Sequence, residues 1–246
     1  MTIRFGELIA VNDVSLEVSG ARVTALIGPN GAGKTTLFNG ISGVYNPDEG
    51  QILFNGENIK GKRPSHIHNI GISRTYQIIN LFADMPVIDN VITGMHDDLK
   101  SNFFDSMFHT RRHRREEKEC YEKAHDLLKF VNLEHRAHEA AGSLPYGEQR
   151  RLEIVRALAS NPKLLLLDEP AAGMNSREKA NLDETLREII ERWNLSILLV
   201  EHDMDLVMGV SEYIYVLSFG KKLAEGKPSE IQTNPDVIEA YLGGDD

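Results

Sequence analysis

The apolar positions of this chain follow two rhythms. Short, nearly unbroken apolar runs stand at residues 23–27 (VTALI), 164–167 (LLLL) and 197–200 (ILLV). Between residues 77 and 159 the apolar positions instead recur three and four apart, as in Leu127, Leu128 and Val131 and again in Leu152, Val155, Leu158 and Ala159. Four or five apolar residues between polar ones fit a strand covered on both faces, as in the middle of a parallel sheet. The wider spacing gathers side chains on one stripe of a helix. Residues 51–54 lead into Asn55-Gly56, a tight-turn dipeptide, and read as the edge hairpin of a β-rich layer. Residues 70–76 and 213–217 add strands, a helix is expected over about residues 177–193, and a shorter one near residues 205–210. The pattern predicts one α/β domain over residues 1–246. Its core, with a parallel central sheet and an antiparallel β layer (residues 1–76 and 160–246), is interrupted by an inserted α-helical lobe (residues 77–159). Ligands of such a sheet bind at the carboxyl ends of its strands, so chemistry is expected after residues 27, 167 and 200.

Composition narrows the function more than the fold. Apolar residues make up 41% and charged residues 26%, with no long polar or Gly/Ser tract, so the whole chain reads as globular and without a flexible linker. The purest apolar runs are far shorter than the roughly 20 residues that cross a bilayer. The first residues lack a basic segment followed by an apolar core. Neither a membrane span nor a secretory leader is expected, which points to the cytoplasm. The single cysteine, Cys120, excludes an internal disulfide, agrees with a reducing compartment and reads as a helix residue without chemistry. Lys and Arg number 27 against 37 Asp and Glu, a formal charge of −10 that opposes attraction to a nucleic-acid backbone. No nucleic-acid partner is expected. The basic run at residues 111–115 (RRHRR) is followed at once by Glu116, Glu117 and Glu119 and reads as a solvated helix face, with contact to lipid headgroups or a membrane-bound partner as the alternative.

Residues 28–35 (GPNGAGKT) carry the complete phosphate-binding loop pattern between a strand and a helix expected to begin near Lys34, as in P-loop nucleoside triphosphatases. Gly28, Pro29, Asn30, Gly31, Ala32 and Gly33 supply a backbone that can turn its N–H groups onto phosphates, and the helix start adds partial positive charge. In that pattern Lys34 holds the β and γ phosphates, and the Thr35 hydroxyl, with Thr36 beside it, falls at the Mg²⁺. The leucine run then delivers two adjacent carboxylates, Asp168 and Glu169. Two such charges at a buried strand end have a reason to exist if a cation is bound: Asp168 completes the metal shell and Glu169 polarises the attacking water. His202 leaves the next strand on the same sheet edge, within reach of a γ phosphate, although a lone histidine at a strand end is more often a polar terminus. Gln77, at the junction of sheet and lobe, says nothing by itself.

The phosphate loop, Gln77, the run Leu144-Pro145-Tyr146-Gly147-Glu148-Gln149, Asp168-Glu169 and His202 together resemble, in order and spacing, the ATP-binding cassette (ABC) ATPases. The resemblance covers nearly the whole chain. The segments LPYGEQRRLE, DEPAAGMN and NPDVIEAYLGG are most similar to the ATPase subunit of branched-chain amino acid importers. It implies two cassettes paired head to tail, each ATP lying between one chain's phosphate loop and the other's signature run. It further implies that Phe5 stacks on adenine, Gln77 ligates Mg²⁺ and senses the attacking water, Glu169 is the catalytic carboxylate and His202 contacts the γ phosphate. Leu144, Pro145, Tyr146, Gly147, Glu148 and Gln149 would face the partner's ATP. Leu81, Phe82 and Met85 would dock on two transmembrane permease subunits, unless they are lobe core. An extracytoplasmic substrate-binding protein would take part indirectly, and the chain would sit peripherally on the cytoplasmic face of the cell membrane.

This sequence departs from the family in three places. The usual Leu-Ser-Gly-Gly-Gln signature here has Pro145 for the serine, Tyr146 for the first glycine and Glu148 for the glutamine, and proline brings neither hydroxyl nor N–H. A heterodimer, whose other ATPase brings a full signature, is therefore expected in preference to a homodimer. Asn175 stands where aspartate is usual and is given no firm role. Only four residues precede Phe5, so the β layer is expected to lack an edge strand or to start short. Other readings stay open: a lipopolysaccharide or lipid exporter or a urea or amide importer, a non-transport ABC ATPase acting on nucleic acid or ribosomes, and a nucleotide-binding module without turnover.

Overall fold

The leucine run forms the strand next to one edge of a six-stranded sheet, covered on both faces. In a computed structural model, which describes residues 1–95 and 111–242, the sheet has the order β10-β9-β3-β8-β7-β6. Its members are β3 (Val23–Ile27), β6 (Ile72–Arg74), β7 (Leu164–Asp168), β8 (Ser196–Val200), β9 (Tyr213–Ser218) and β10 (Lys221–Gly226). All neighbours are parallel except β9 and β10. Alternation along β7 explains why it reads as pure leucine. Leu164 and Leu166 pack on one face with Leu37 and Phe38 of α1 (Lys34–Ile41), while Leu165 and Leu167 pack on the other with the helices that precede β7.

Those helices occupy the chain between β6 and β7: α3 (Val87–Thr93), α4 (Arg111–Phe130) and α5 (Tyr146–Leu158), with 3₁₀ turns at Glu134–Arg136 and Ala141–Ser143. Val87, Val91, Leu128, Leu152 and Val155 bury themselves together there, and Cys120 packs partly buried against the same core. The basic run falls at the start of α4, where Arg115 pairs with Glu119 at 2.7 Å and Lys118 with Glu122 at 3.6 Å along a solvated face. The side chains of residues 111–114 and 242 lie outside the described residues, as do residues 243–246, which include the last two residues of the NPDVIEAYLGG segment. After β7 come α6 (Ser176–Trp193), α7 (Met204–Val210), α8 (Pro228–Gln232) and α9 (Pro235–Leu242).

The β layer consists of two ribbons. β1 (Ile3–Phe5) pairs antiparallel with β2 (Leu8–Val11), and β4 (Leu53–Phe54) turns through Asn55-Gly56 into β5 (Glu57–Asn58) as expected. Thr2, just ahead of β1, bridges Glu49 on the segment that leads to β4, and the amino-terminal ammonium donates to Val14 O at 2.7 Å. The short start thus forms a strand leading into Phe5. β6 is shorter than expected. α2 (Pro64–Asn69) precedes it. β10 was not legible because its residues (KKLAEG) are mostly exposed and polar; it forms because Phe219 and Gly220, with φ of 46° and 75°, reverse the chain beside β9.

Candidate active site

The carboxyl ends of β3, β7 and β8, together with the segment after β6, open on one edge of the sheet and bring the expected residues to it. β3, fully buried, delivers Gly28 with φ of 146°. A Cβ there would lie 2.1 Å from Leu217 O, so only glycine lets the phosphate loop begin flush against β9. Gly33, with φ of 97°, also passes close to β2, where a Cβ would meet Ala10 O at 2.5 Å. Between them Ala32 N donates to Pro29 O and Ala32 O accepts from Gly220 N, so Pro29, Asn30, Gly31 and Ala32 form a closed loop tied to the β9–β10 turn. Lys34 is buried and its Nζ donates to Gly28 O at 2.5 Å and Pro29 O at 2.9 Å. Burial pulls its pKa below the ordinary lysine value, against the opposing fields of the Glu169 and Asp168 carboxylates. Thr35 is exposed at the start of α1 and Thr36 is half-buried behind it.

Asp168 and Glu169 face different surroundings. Asp168, buried at the end of β7, pairs at 2.8 Å with Arg74 at the end of β6, whose side chain is 7% exposed, and Arg74 also donates to Asn39 Oδ1 on α1 and to Ser42 Oγ at its C-cap. Glu169 takes a left-handed backbone, φ 47°, fixed by its N–H to Val200 O at 2.8 Å. Its Oε2 accepts from Gln77 Nε2 at 2.8 Å and lies 3.7 Å from His202 Nδ1. Two residues far apart in sequence therefore converge on one carboxylate, and His202 presents a side chain that is 60% exposed. Glu201, buried beside it, accepts from Ala171 N at 2.7 Å and from His202 N at 3.0 Å, which ties the loop after Glu169 to the segment of His202. Asp203 caps α7 through Leu206 N and pairs with Lys179, whose proximity holds the Asp203 carboxyl below its usual value.

The signature run stands apart. Pro145 precedes α5 with φ −54° and ψ 151°, Leu144 and Gly147 are buried, Tyr146 is exposed, Glu148 pairs with Arg136 at 3.1 Å and Gln149 Nε2 donates to Leu144 O. Among the described residues no hydrogen bond or ion pair joins residues 144–149 to the phosphate loop. A link runs instead to Gln77: Arg150, with a fully buried side chain, donates to Tyr76 O, Gln77 O and Glu153 Oε2, each at 2.7 Å. Burial pushes the Glu153 carboxyl up, against the pull of Arg150. Phe5 stands on the other flank, 45% exposed, its ring edge-on to Tyr45 at 5.2 Å. Leu81 packs partly against the helical core and Met85 is half-buried, while Phe82 is exposed on a cleft of about 460 Å³ that it shares with His68, Asn80, Thr93 and Arg156.

Arg74, Glu201, Arg150 and Tyr45 were not singled out from the sequence. Only Arg150 had a readable signal: it lies four and eight residues before Ile154 and Leu158, so a charge occupies the buried stripe of a helix, with Glu153 one turn away.

Two family models match the chain: "ABC transporter" over residues 11–172 and "Branched-chain amino acid ATP-binding cassette transporter" over residues 221–246. The chain is 45% identical over 243 residues to the high-affinity branched-chain amino acid transport ATP-binding protein LivG of Escherichia coli K12, covering 99% of this chain and 95% of that protein. BraF of Pseudomonas aeruginosa, a protein of the same description, is 46% identical with the same shares covered. Among solved structures, the ADP conformation of MJ1267, an ATP-binding cassette of an ABC transporter, superposes with a TM-score of 0.85 at 33% identity, covering 98% of this chain and 96% of that one.

Proposed function

The chain belongs to the ABC transporter family of ATP-binding cassettes, and from that premise we propose that it is the ATP-hydrolysing subunit of an importer for branched-chain amino acids. The observation that carries this reading is the convergence of Gln77 and His202 on the Glu169 carboxylate beside a complete phosphate loop. In the proposed reaction Lys34 exchanges the carbonyls of Gly28 and Pro29 for phosphate oxygens, and the N–H groups of the loop and of the start of α1 hold the remaining charge. Phe5 carries the adenine. Gln77 orients a water against the γ phosphorus, Glu169 accepts its proton as the new P–O bond forms and the bond to ADP breaks, and His202 contacts the γ phosphate.

Thr35 hydroxyl, Asp168 carboxylate and Gln77 amide are an all-oxygen donor set suited to Mg²⁺, and because Arg74 occupies Asp168 Oδ2, Oδ1 remains to be given. When bound, Mg²⁺ neutralises charge on the β and γ phosphates. The half-open site is completed by a second cassette whose signature run meets this chain's ATP, while Leu144, Pro145, Tyr146, Gly147, Glu148 and Gln149 meet the partner's. The cleft at Phe82 receives a permease subunit, which holds the chain peripherally at the cytoplasmic face of the membrane. This reading agrees with the finding that no helix of the described residues is long and apolar enough to cross a bilayer.

ATP hydrolysis with Mg²⁺, measured alone and with the ATPase and permease subunits encoded beside it, tests the reading. Turnover is expected to rise on adding those subunits and to fall by about a hundredfold or more in Glu169→Gln. Equal turnover with and without them, or an unaffected variant, would overturn it.

A further inference from the structure

Residues 76 and 77 are strung between two arginines, the half-buried Arg74 and the buried Arg150. On one side Arg74 lies over the Tyr76 ring at 5.0 Å and pairs with Asp168. On the other, Arg150 reaches from the second turn of α5 and donates to the carbonyls of Tyr76 and Gln77, while Glu153, which it pairs with, accepts from Asn80 N at 3.4 Å. The Arg150 and Glu153 side chains are 0% and 1% exposed. A buried ion pair of this kind is often replaceable by apolar side chains without loss of stability, so stability alone gives no reason for its presence. What it does by geometry is fasten the main chain of Gln77 to the helix that opens with Pro145 and Tyr146.

We propose that Arg150 is a positioning residue that makes the Gln77 loop and the signature helix α5 one mechanical unit. Engagement of the signature run by the partner's nucleotide is thereby transmitted to the Gln77 amide and its contact with Glu169. The inference rests on the roles proposed above for Gln77 and Glu169. A guanidinium is suited to the task because its planar fork bonds two carbonyls and a carboxylate at once, which an ammonium at the end of a flexible stem cannot reproduce.

The test is a mutant cycle read on Mg²⁺-dependent ATP turnover by the assembled transporter. Arg150→Met with Glu153→Leu removes both buried charges and the two carbonyl donors, and thermal unfolding checks that the fold survives. In the parent this pair is expected to lower kcat about tenfold with little change in KM, and in a Gln77→Ala background by less than about twofold, because the loop it positions no longer carries the amide. A loss of the same size in both backgrounds would mean that the pair serves only lobe packing, and the inference would fall. A Gln77→Ala variant with unaltered kcat would overturn the role of Gln77 itself, and the inference with it. Should the double variant not fold, Arg150→Lys keeps the charge beside Glu153 without the fork, and the same cycle applies. Hydrogen exchange adds a second readout: Mg²⁺-ATP should protect the amides of residues 77–81 and of the first turn of α5 together in the parent, and separately in the variant.

Discussion

Burial holds the Lys34 ammonium below its ordinary pKa, and that sign has a consequence in the nucleotide-free protein. The folded chain prefers the neutral amine more than the unfolded chain does. The contribution of this group to stability is therefore lowest below the depressed folded value, where the cost of its charge is fully present, and rises as the pH climbs from there towards the unfolded value of 10.5. Comparing Lys34→Met with the parent isolates the effect from all other titrations. As the pH climbs towards 10.5 the stability of the parent is expected to rise more steeply than that of the variant, as read by chemical denaturation without nucleotide. Saturating Mg²⁺-ATP should reverse the difference, since phosphates draw the lysine towards its charged form. Parallel slopes without nucleotide would show that the ammonium is not desolvated as its burial implies. Lys34, Glu169 and Asp168 were legible because each sits at a fixed offset from a buried strand. Arg74 and Glu201 were not, because nothing in their neighbours along the chain announces that three-dimensional packing gives them Asp168 and the Ala171 amide as partners.

At the scale of the element, Asn175 has a role that the sequence reading left blank. Its side chain accepts from the backbone N–H groups of Arg177 at 3.0 Å and Glu178 at 3.1 Å, while the Glu178 carboxylate accepts from Asn175 N at 2.9 Å. This reciprocal cap opens α6, the long helix that covers one face of the sheet, and the Asn-x-x-Glu spacing that encodes it is visible in the sequence. Asn175→Ala is expected to lower stability by about 1 kcal/mol, whereas Asn175→Asp, which keeps the acceptor, leaves it nearly unchanged. Thermal or urea unfolding of the two variants decides the point; a cost of equal size for both would locate the effect of Asn175 somewhere other than the cap. The contrast with β10 is instructive. A capping box is a local signal and can be read locally, while an exposed edge strand has little apolar rhythm and is set by the turn at Phe219 and Gly220 and by the neighbour it pairs with.

At the scale of the whole molecule, the two edges proposed to face ATP differ in quality within this one chain. The phosphate loop, Asp168 and Glu169 are intact, whereas the signature edge carries Pro145 ahead of α5 and Glu148 engaged with Arg136. A heterodimer is the arrangement in which the intact half faces a fuller signature. In the assembled transporter Glu169→Gln in this chain is therefore expected to remove most turnover, and the corresponding change in the partner ATPase to remove less. The comparison needs only steady-state hydrolysis by the two complexes. Turnover retained in the first and lost in the second would exclude the proposed asymmetry.

The sequence by itself determined the family, the phosphate loop, the carboxylate pair and the central strands, because each of these is written in contiguous residues: glycines where the backbone must approach other chain segments, a lysine and a hydroxyl at fixed offsets, and unbroken apolar runs where both faces of a strand are covered. It also put His202 at the end of a strand on the Asp168 edge and Gln77 at the junction of sheet and lobe, while the roles of both came only by resemblance. Only the tertiary structure decided that both side chains meet on the Glu169 carboxylate, that Arg74 neutralises Asp168, and that Arg150 binds the Gln77 backbone to α5. The physical reason is burial. Once a charge leaves water its partners must come from whatever the fold brings within hydrogen-bond reach, and that set of neighbours is a property of how helices and strands pack, which no local spacing along the chain specifies.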